Sequence, residues 1–265
     1  MEPGQKQAVN TGQYARVNEL NMYYEIHGEG RPLVLIHGGG STIGSTFGRI
    51  LPEFAKTHQV IAVELQAHGH TADIDRPLSF EQDADDVAEL LKQLGITNTD
   101  ILGFSNGGST ALQLGIRHPQ LIGKLVVASG MYKKEDLYPW FWEGMAKATF
   151  ADMPQLYKDI YLEITGDPEG LMAMFKRDSR RMQTFESWKD EDIQSIKAPV
   201  LVVTADQDVI RPEGATDLFR LLPKGRLAVF PGAHGEYLGE ILAMRHGSRV
   251  PELFVTMVEE FLFAG

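Results

Sequence analysis

One serine stands between two glycines, Gly103-x-Ser105-x-Gly107, inside the run Ile101-Leu-Gly-Phe-Ser-Asn-Gly-Gly108. Apolar residues precede it and helical spacing follows. A serine on so sharp a strand-to-helix turn exposes its hydroxyl, and flanking glycines let neighbouring backbone pass close by. At a helix N-terminus the dipole also favours negative charge developing nearby. The bare motif arises by composition in about one chain of this length in ten, so its placement carries the reading. Ser105 is the expected nucleophile.

A serine hydroxyl needs a base to take its proton, and the chain offers eight histidines. His27 and His58 precede apolar runs, His118 precedes Pro119 at a helix end, and His246 lies in a late charged loop. His37 opens His37-Gly-Gly-Gly40, a loop suited to donating backbone N–H groups. His68 and His70 could suggest a metal pair, but no third ligand is near in sequence, so they are expected in a polar loop and no metal is expected. His234, in Phe230-Pro-Gly-Ala-His-Gly235, directly follows the last apolar run and is the expected base.

The acid that orients this imidazole is sought in Val200-Val-Val-Thr-Ala-Asp206-Gln-Asp208-Val-Ile-Arg-Pro212. Asp208, in the turn before Pro212, is expected to take the role, with Asp206 bonding loop backbone. For a tetrahedral oxyanion, donors are expected at the N–H of Asn106 and of Gly39. Gly38 and Gly40 complete a side-chain-free loop and are expected at the substrate pocket.

These groups must be positioned by elements that the pattern predicts. Alternation at 14–17 and 20–26 predicts an antiparallel hairpin. Continuous apolar runs follow at 33–36, 60–65, 101–104, 125–128, 200–204 and 227–230, as strands buried on both faces require. Amphipathic helices are predicted over 80–94, 107–117 and 252–263. The alternation gives a doubly wound α/β fold. The stretch 131–196 breaks it, reads as helical without a strand, and is expected as an insertion between the sixth and seventh main strands. It holds all three tryptophans and six of the ten methionines. Trp140 and Trp142 are expected to line an adaptable apolar pocket.

A chain of 265 residues can bury its own core without metal or disulfide. Its net charge of -11 opposes nucleic-acid and anionic-membrane partners. Cysteine is absent, which removes disulfides and thiolate chemistry. The opening carries no apolar run of signal-peptide length and no segment approaches a membrane span, so a cytoplasmic location is expected.

The His-Gly loop after the first long apolar run, the serine elbow, the Asp–Pro turn and the Gly-Ala-His ending coincide in one chain. Together they resemble the α/β-hydrolase superfamily, in particular its small capped members that include carboxylesterases, enol-lactonases and cofactor-free haloperoxidases. The resemblance spans about 17–263. It implies an eight-stranded, mostly parallel sheet, with 1–130 and 197–265 forming the core and 131–196 a helical cap. It further implies a cofactor-free, carboxylesterase-like serine hydrolase, monomer or homodimer, cleaving a small apolar ester, lactone or thioester through an acyl-enzyme. The same groups would serve a carbon–carbon bond hydrolase acting on vinylogous diketones, and a ligand-binding receptor on this fold is the non-enzymatic alternative. One departure stands out. Relatives often carry Asp-x-Arg-Gly-x-Gly-x-Ser where this chain has Glu64-Leu-Gln-Ala-His-Gly-His-Thr71, so the arginine that usually stabilises this loop is missing.

Overall fold

The computed structural model describes residues 12–264, so most of the opening segment searched above for a leader lies outside the described residues. The expected hairpin is formed by β1 (Gln13–Val17) and β2 (Leu20–His27). Its two turn residues, Asn18 and Glu19, both take positive φ, the twist that a two-residue hairpin loop demands. Six further strands follow, one at each predicted apolar run: β3 (Arg31–Ile36), β4 (His58–Val63), β5 (Thr99–Phe104), β6 (Ile122–Ala128), β7 (Val200–Gln207) and β8 (Gly225–Ala233). They make one eight-stranded sheet in the order β1-β2-β4-β3-β5-β6-β7-β8. The β1–β2 and β2–β4 pairings are antiparallel and all others parallel.

Among the described residues ten α-helices connect and cover the sheet: α1 (Ile43–Phe47), α2 (Leu51–Phe54), α3 (Phe80–Gln93), α4 (Asn106–Arg117), α5 (Pro139–Lys147), α6 (Gln155–Thr165), α7 (Pro168–Gln183), α8 (Asp190–Gln194), α9 (Pro212–Leu221) and α10 (Val250–Phe263). Among the described residues no helix is long and apolar enough to cross a membrane. The central strands alternate between two apolar layers. Val34, Ile36, Ile61, Val63, Ile101, Leu125, Val127 and Val202 pack with α3 and α4. Leu33, Leu35, Val60, Ala62, Leu102, Val126 and Leu201 face the opposite way, with Phe47, Phe54 and Phe254 from α1, α2 and α10. Burial on both faces is why these strands read as unbroken apolar runs.

The order in which strands are added to the sheet reverses at β3, which lies between β4 and β5. The loops after β3 and β5 therefore diverge from neighbouring carboxyl ends, the crevice where ligands bind in open α/β sheets. Ile36 pairs with Gly103 there, so the His37 loop and Ser105 emerge side by side. On the other flank Gln207 pairs with Ala233. Asp208 and His234 are the residues that immediately follow this pair.

Residues 131–196 hold α5 to α8 and no named strand; Leu137 makes an isolated bridge to Ile210. Both ends of the stretch pack into the main core, through Met131, Tyr132 and Leu137 at one end and Ile193 and Ile196 at the other. Its middle forms a small cluster of its own, in which Tyr161, Leu171 and Met174 close over Ala67. The 64–71 loop, which lacks the familiar arginine, is held by another. The Gln66 side-chain amide donates to Asp73 and to the Ile74 and Arg76 carbonyls, and its Oε1 accepts from Arg76 Nε. Arg76 in turn pairs with buried Asp86 on α3.

A methyl group at Gly107 would sit 2.1 Å from the Ile36 carbonyl oxygen and 2.5 Å from that of His37. Both obstacles are backbone of a central strand end and cannot swing aside. Gly107→Ala is expected to lower stability by about 2 kcal/mol or more, read from the urea midpoint against Gly44→Ala, where a methyl group meets nothing within 4 Å.

Candidate active site

Ser105 closes the turn between β5 and α4 with φ 55 and ψ -119, a strained backbone for a residue with a side chain. Its N–H donates to the Ala128 carbonyl at 2.8 Å, and its carbonyl accepts from Gly108 N–H at 2.8 Å. These bonds fix the strained turn to the neighbouring strand and to its own helix. No side chain caps α4, so its first N–H groups are left to the site.

His234 Nε2 lies 3.0 Å from Ser105 Oγ, and His234 Nδ1 lies 2.6 Å from Asp208 Oδ1. With the carboxylate at Nδ1, the tautomer that donates there leaves Nε2 to accept the serine proton. Asp208 is buried and held from several sides: Ser129 Oγ–H donates to Oδ2 and Ile210 N–H to Oδ1 at 3.2 Å. Fully buried Tyr237 is 2.7 Å from the same Ser129 oxygen. Burial alone would lift the Asp208 carboxyl, but the charge and hydrogen bond of His234, with Ser129, hold it below its ordinary range. Burial pushes the His234 imidazole down, and Asp208, aided by Glu240, outweighs it and raises it overall. The arrangement is that of a hydroxyl activated by an oriented general base.

The structure brings Ser105, Asp208 and His234 into one hydrogen-bonded chain. Asp206 instead reaches across the strands to accept the Gly232 N–H at 2.8 Å. The register shift between Ala205 and Gln207 separates the environments of the two aspartates. Gly39, Gly40, Asn106, Ser105 and His234 all line one cavity of about 310 Å³. Gly39 N–H makes no hydrogen bond among the described residues, and Asn106 is the first residue of α4. A side chain at Gly39 would strike the Asn106 amide at 2.4 Å, so only glycine keeps that loop so close to the nucleophile.

Three of the pocket expectations need correction. Gly38 does not line the cavity: it lies under the loop against Phe104 and the Ser105 Cβ, and its carbonyl accepts from Ser41 Oγ and His37 Nδ1. Trp140 projects outward and is 57% exposed. Trp142 turns the other way, stacking on Phe185 and donating to the Lys134 carbonyl at 2.8 Å. Residue 141, between them, is the one on the inward side of α5, and Phe141 and Met145 line the cavity with Met131, Met153, Met174 and Met182. Four of the helical residues at this face could not be told from their neighbours without the helix phase.

His68 and His70 face different carboxylates, Asp178 and Glu64. Sequence reasoning missed Ser129, Tyr237 and Asp178. Ser129 had a usable signal, since it follows β6 at the same sheet edge; Asp178, on α7, had none.

Residues 31–171 match the family model described as alpha/beta hydrolase fold. The human serine hydrolase BPHL is 28% identical over 93% of this chain and 84% of its own length. A pimeloyl-[acyl-carrier protein] methyl ester esterase of Neisseria meningitidis serogroup A is 29% identical over 78% of this chain and 72% of its own. Among solved structures, the enol-lactonase of Burkholderia xenovorans LB400 superposes with a TM-score of 0.74 at 21% identity, covering 95% of this chain and 100% of that one, a likeness of fold.

Labelling of Ser105 by a fluorophosphonate reads the His234 base directly. Protonation of His234 removes the base, so labelling falls as pH falls, with a midpoint above the ordinary histidine value of 6.5. In Asp208→Asn the counter-charge is gone and burial prevails, so the midpoint moves below 6.5 and the rate drops by roughly 10³–10⁴. Asp206→Asn keeps an acceptor for Gly232 N–H and retains the wild-type profile. A larger loss in Asp206→Asn than in Asp208→Asn would reverse the assignment.

Proposed function

The chain belongs to the alpha/beta-hydrolase fold family, and on that basis we propose that it is a carboxylesterase-like serine hydrolase of small, neutral, apolar esters or lactones. The observation that carries the proposal is the unbroken run Asp208–His234–Ser105 opening into an apolar cavity. Ser105 Oγ attacks the carbonyl carbon while its proton passes to His234 Nε2. The N–H groups of Gly39 and Asn106 receive the oxyanion. Collapse expels the alcohol, which takes the proton from His234 as it leaves and gives an acyl-enzyme. Water then enters on the same base and releases the acid, restoring the serine.

The volume of about 310 Å³ stands at the small end of ligand sites and suits short to medium acyl groups. Methionines at five positions of the wall, with Phe141 and Phe175, supply a deformable apolar surface. Carbon–carbon hydrolysis of a vinylogous diketone would pass through an enolate that needs a cationic partner. Among the described residues no lysine or arginine lines the cavity, and this favours ester or lactone cleavage. Residues 131–196 serve as the cap in this reading, since α5, α6 and α7 contribute the wall opposite Ser105. The named activities of the esterase and lactonase relatives agree with the same reaction class.

Ser105→Ala is expected to fold normally and to lose about three or more orders of magnitude in hydrolysis of p-nitrophenyl esters. Retention of more than about a tenth of wild-type activity is incompatible with a triad acting as a unit. Across an acetyl-to-decanoyl series, Phe141→Ala is expected to move the optimum to longer chains, because it lengthens the cavity. Trp140→Ala, outside the wall, should leave the profile unchanged.

A further inference from the structure

Asp178 is a carboxylate at the edge of the cavity wall that the reaction above does not use. Its Oδ2 accepts the Gly40 N–H at 2.7 Å and lies 2.8 Å from His68 Nε2. Gly40 N also lies 3.1 Å from that same histidine nitrogen, so the carboxylate takes the shorter contact. His68 Nδ1–H donates to the Gln66 carbonyl, which fixes its ring. The other carboxylate oxygen pairs with Arg181, and Arg181 reaches onward to Asp83 of α3 at 2.6 Å. Arg181, Asp83 and His68 are all buried. Two carboxylates and two cations thus tie α7, α3 and the 64–71 loop to the glycine loop after β3.

Gly40 N–H also has His68 Nε2 within reach at 3.1 Å, whereas the remaining polar holds on that loop act on its flanks. His37 Nε2 accepts the Leu65 N–H at 3.1 Å, and the Gly38 carbonyl accepts from Ser41 Oγ at 2.8 Å. Gly40 has φ +66 and no side chain, so without a partner its peptide is free to rotate, and with it the adjoining Gly39 unit. We propose that Asp178 is a positioning residue for the oxyanion loop: by engaging the Gly40 N–H it leaves the Gly39 N–H to the reacting carbonyl, and it makes this arrangement depend on α7 being seated. The inference rests on the hydrolase reading given above.

The charge arrangement is consistent with that task. Asp178 Oδ2 is 3.2 Å from where a Cβ on Gly39 would stand, near enough for an uncompensated carboxylate to oppose an oxyanion. Arg181 and His68 compensate it on the side away from the cavity. Burial favours the neutral acid at Asp178, and the two cations overcome it and keep the carboxylate ionised.

The test is a comparison of kcat, KM and phenylboronic acid inhibition, because the boronate forms a tetrahedral adduct on a serine and places an oxygen where the oxyanion would be. Asp178→Ala is expected to lower kcat by about ten- to hundredfold with KM little changed, and to weaken boronate inhibition by the same factor. Asp178→Asn, which keeps an acceptor for Gly40 N–H, is expected to restore most of that loss. Arg177→Gln serves as control: it removes the bond from α7 to Asp73 without touching Gly40, and should match wild type. If Asp178→Ala fails to fold, Asp83→Leu/Asp178→Ala/Arg181→Met removes the arginine together with both carboxylates that it pairs, a change that cores often tolerate, and it carries the same expectation. Unchanged kcat, a loss confined to KM, or unchanged boronate inhibition would each overturn the proposal. So would an Asp178→Asn as impaired as Asp178→Ala, or an equal loss in Arg177→Gln. Ser105→Ala run in parallel separates the two readings. Full activity there overturns the hydrolase assignment and the inference built on it, whereas an inactive Ser105→Ala beside a fully active Asp178→Ala overturns the inference and leaves the assignment standing.

Discussion

Backbone lies directly against backbone at the Ser105 turn, and the remaining geometry of the site is arranged around that close approach. A side chain at Gly103 would lie 2.0 Å from the Gly107 carbonyl oxygen, and one at Gly107 would lie 2.1 Å from that of Ile36. With no side chain at either position, α4 can leave β5 at an angle that holds Ser105 at positive φ. The strain is local, and the bonds from Ser105 to Ala128 and Gly108 hold it in place. A straighter departure would point the hydroxyl along the sheet and out of reach of His234.

The parallel register delivers the other groups to the same edge. Because β3 and β5 are neighbours, the glycine loop emerges beside Ser105, and because β7 and β8 are neighbours, Asp208 and His234 emerge side by side. The hydrogen bonds that hold Asp208 are then electrostatic tuning. Against the burial of Asp208, His234 first, and then Ser129 and Ile210, stabilise the ionised form, so the carboxylate keeps its charge and raises the imidazole beside it. His37 is tuned in the opposite sense. Full burial and the neighbouring His68 press it to about 3, so it stays neutral and can accept the Leu65 N–H while donating to the Gly38 carbonyl.

The segment between β6 and β7 ties into this edge twice. Tyr157 on α6 donates to Glu240 at 2.7 Å, close behind His234, while Asp178 on α7 reaches the glycine loop. Burial raises the Glu240 carboxyl, and the Tyr157 hydrogen bond works against that shift. The apolar wall of the cavity and the polar anchoring of its loops therefore come from the same helices. Cavity shape and loop anchoring are coupled through α6 and α7.

The strands, the serine turn and the places of Asp206, Asp208 and His234 at one sheet edge were legible in the sequence because each depends on local pattern. Burial on both faces writes a continuous apolar run, and a turn that excludes side chains writes glycine at fixed spacing. The fold follows from such runs in order, and a residue that directly follows a strand is placed at the sheet edge by chain connectivity. The helical segment was legible as helical but not in its rotation. Trp140, Phe141 and Trp142 are consecutive, and successive helix positions turn by about 100°, so composition marked the right stretch and the wrong two residues of it. Asp178 was not legible at all, since the partners that tie it to the site, Gly40 and His68, lie more than a hundred residues away and no spacing along the chain records them. Only the packing of α7 against the sheet edge brings that carboxylate to an amide which needs one.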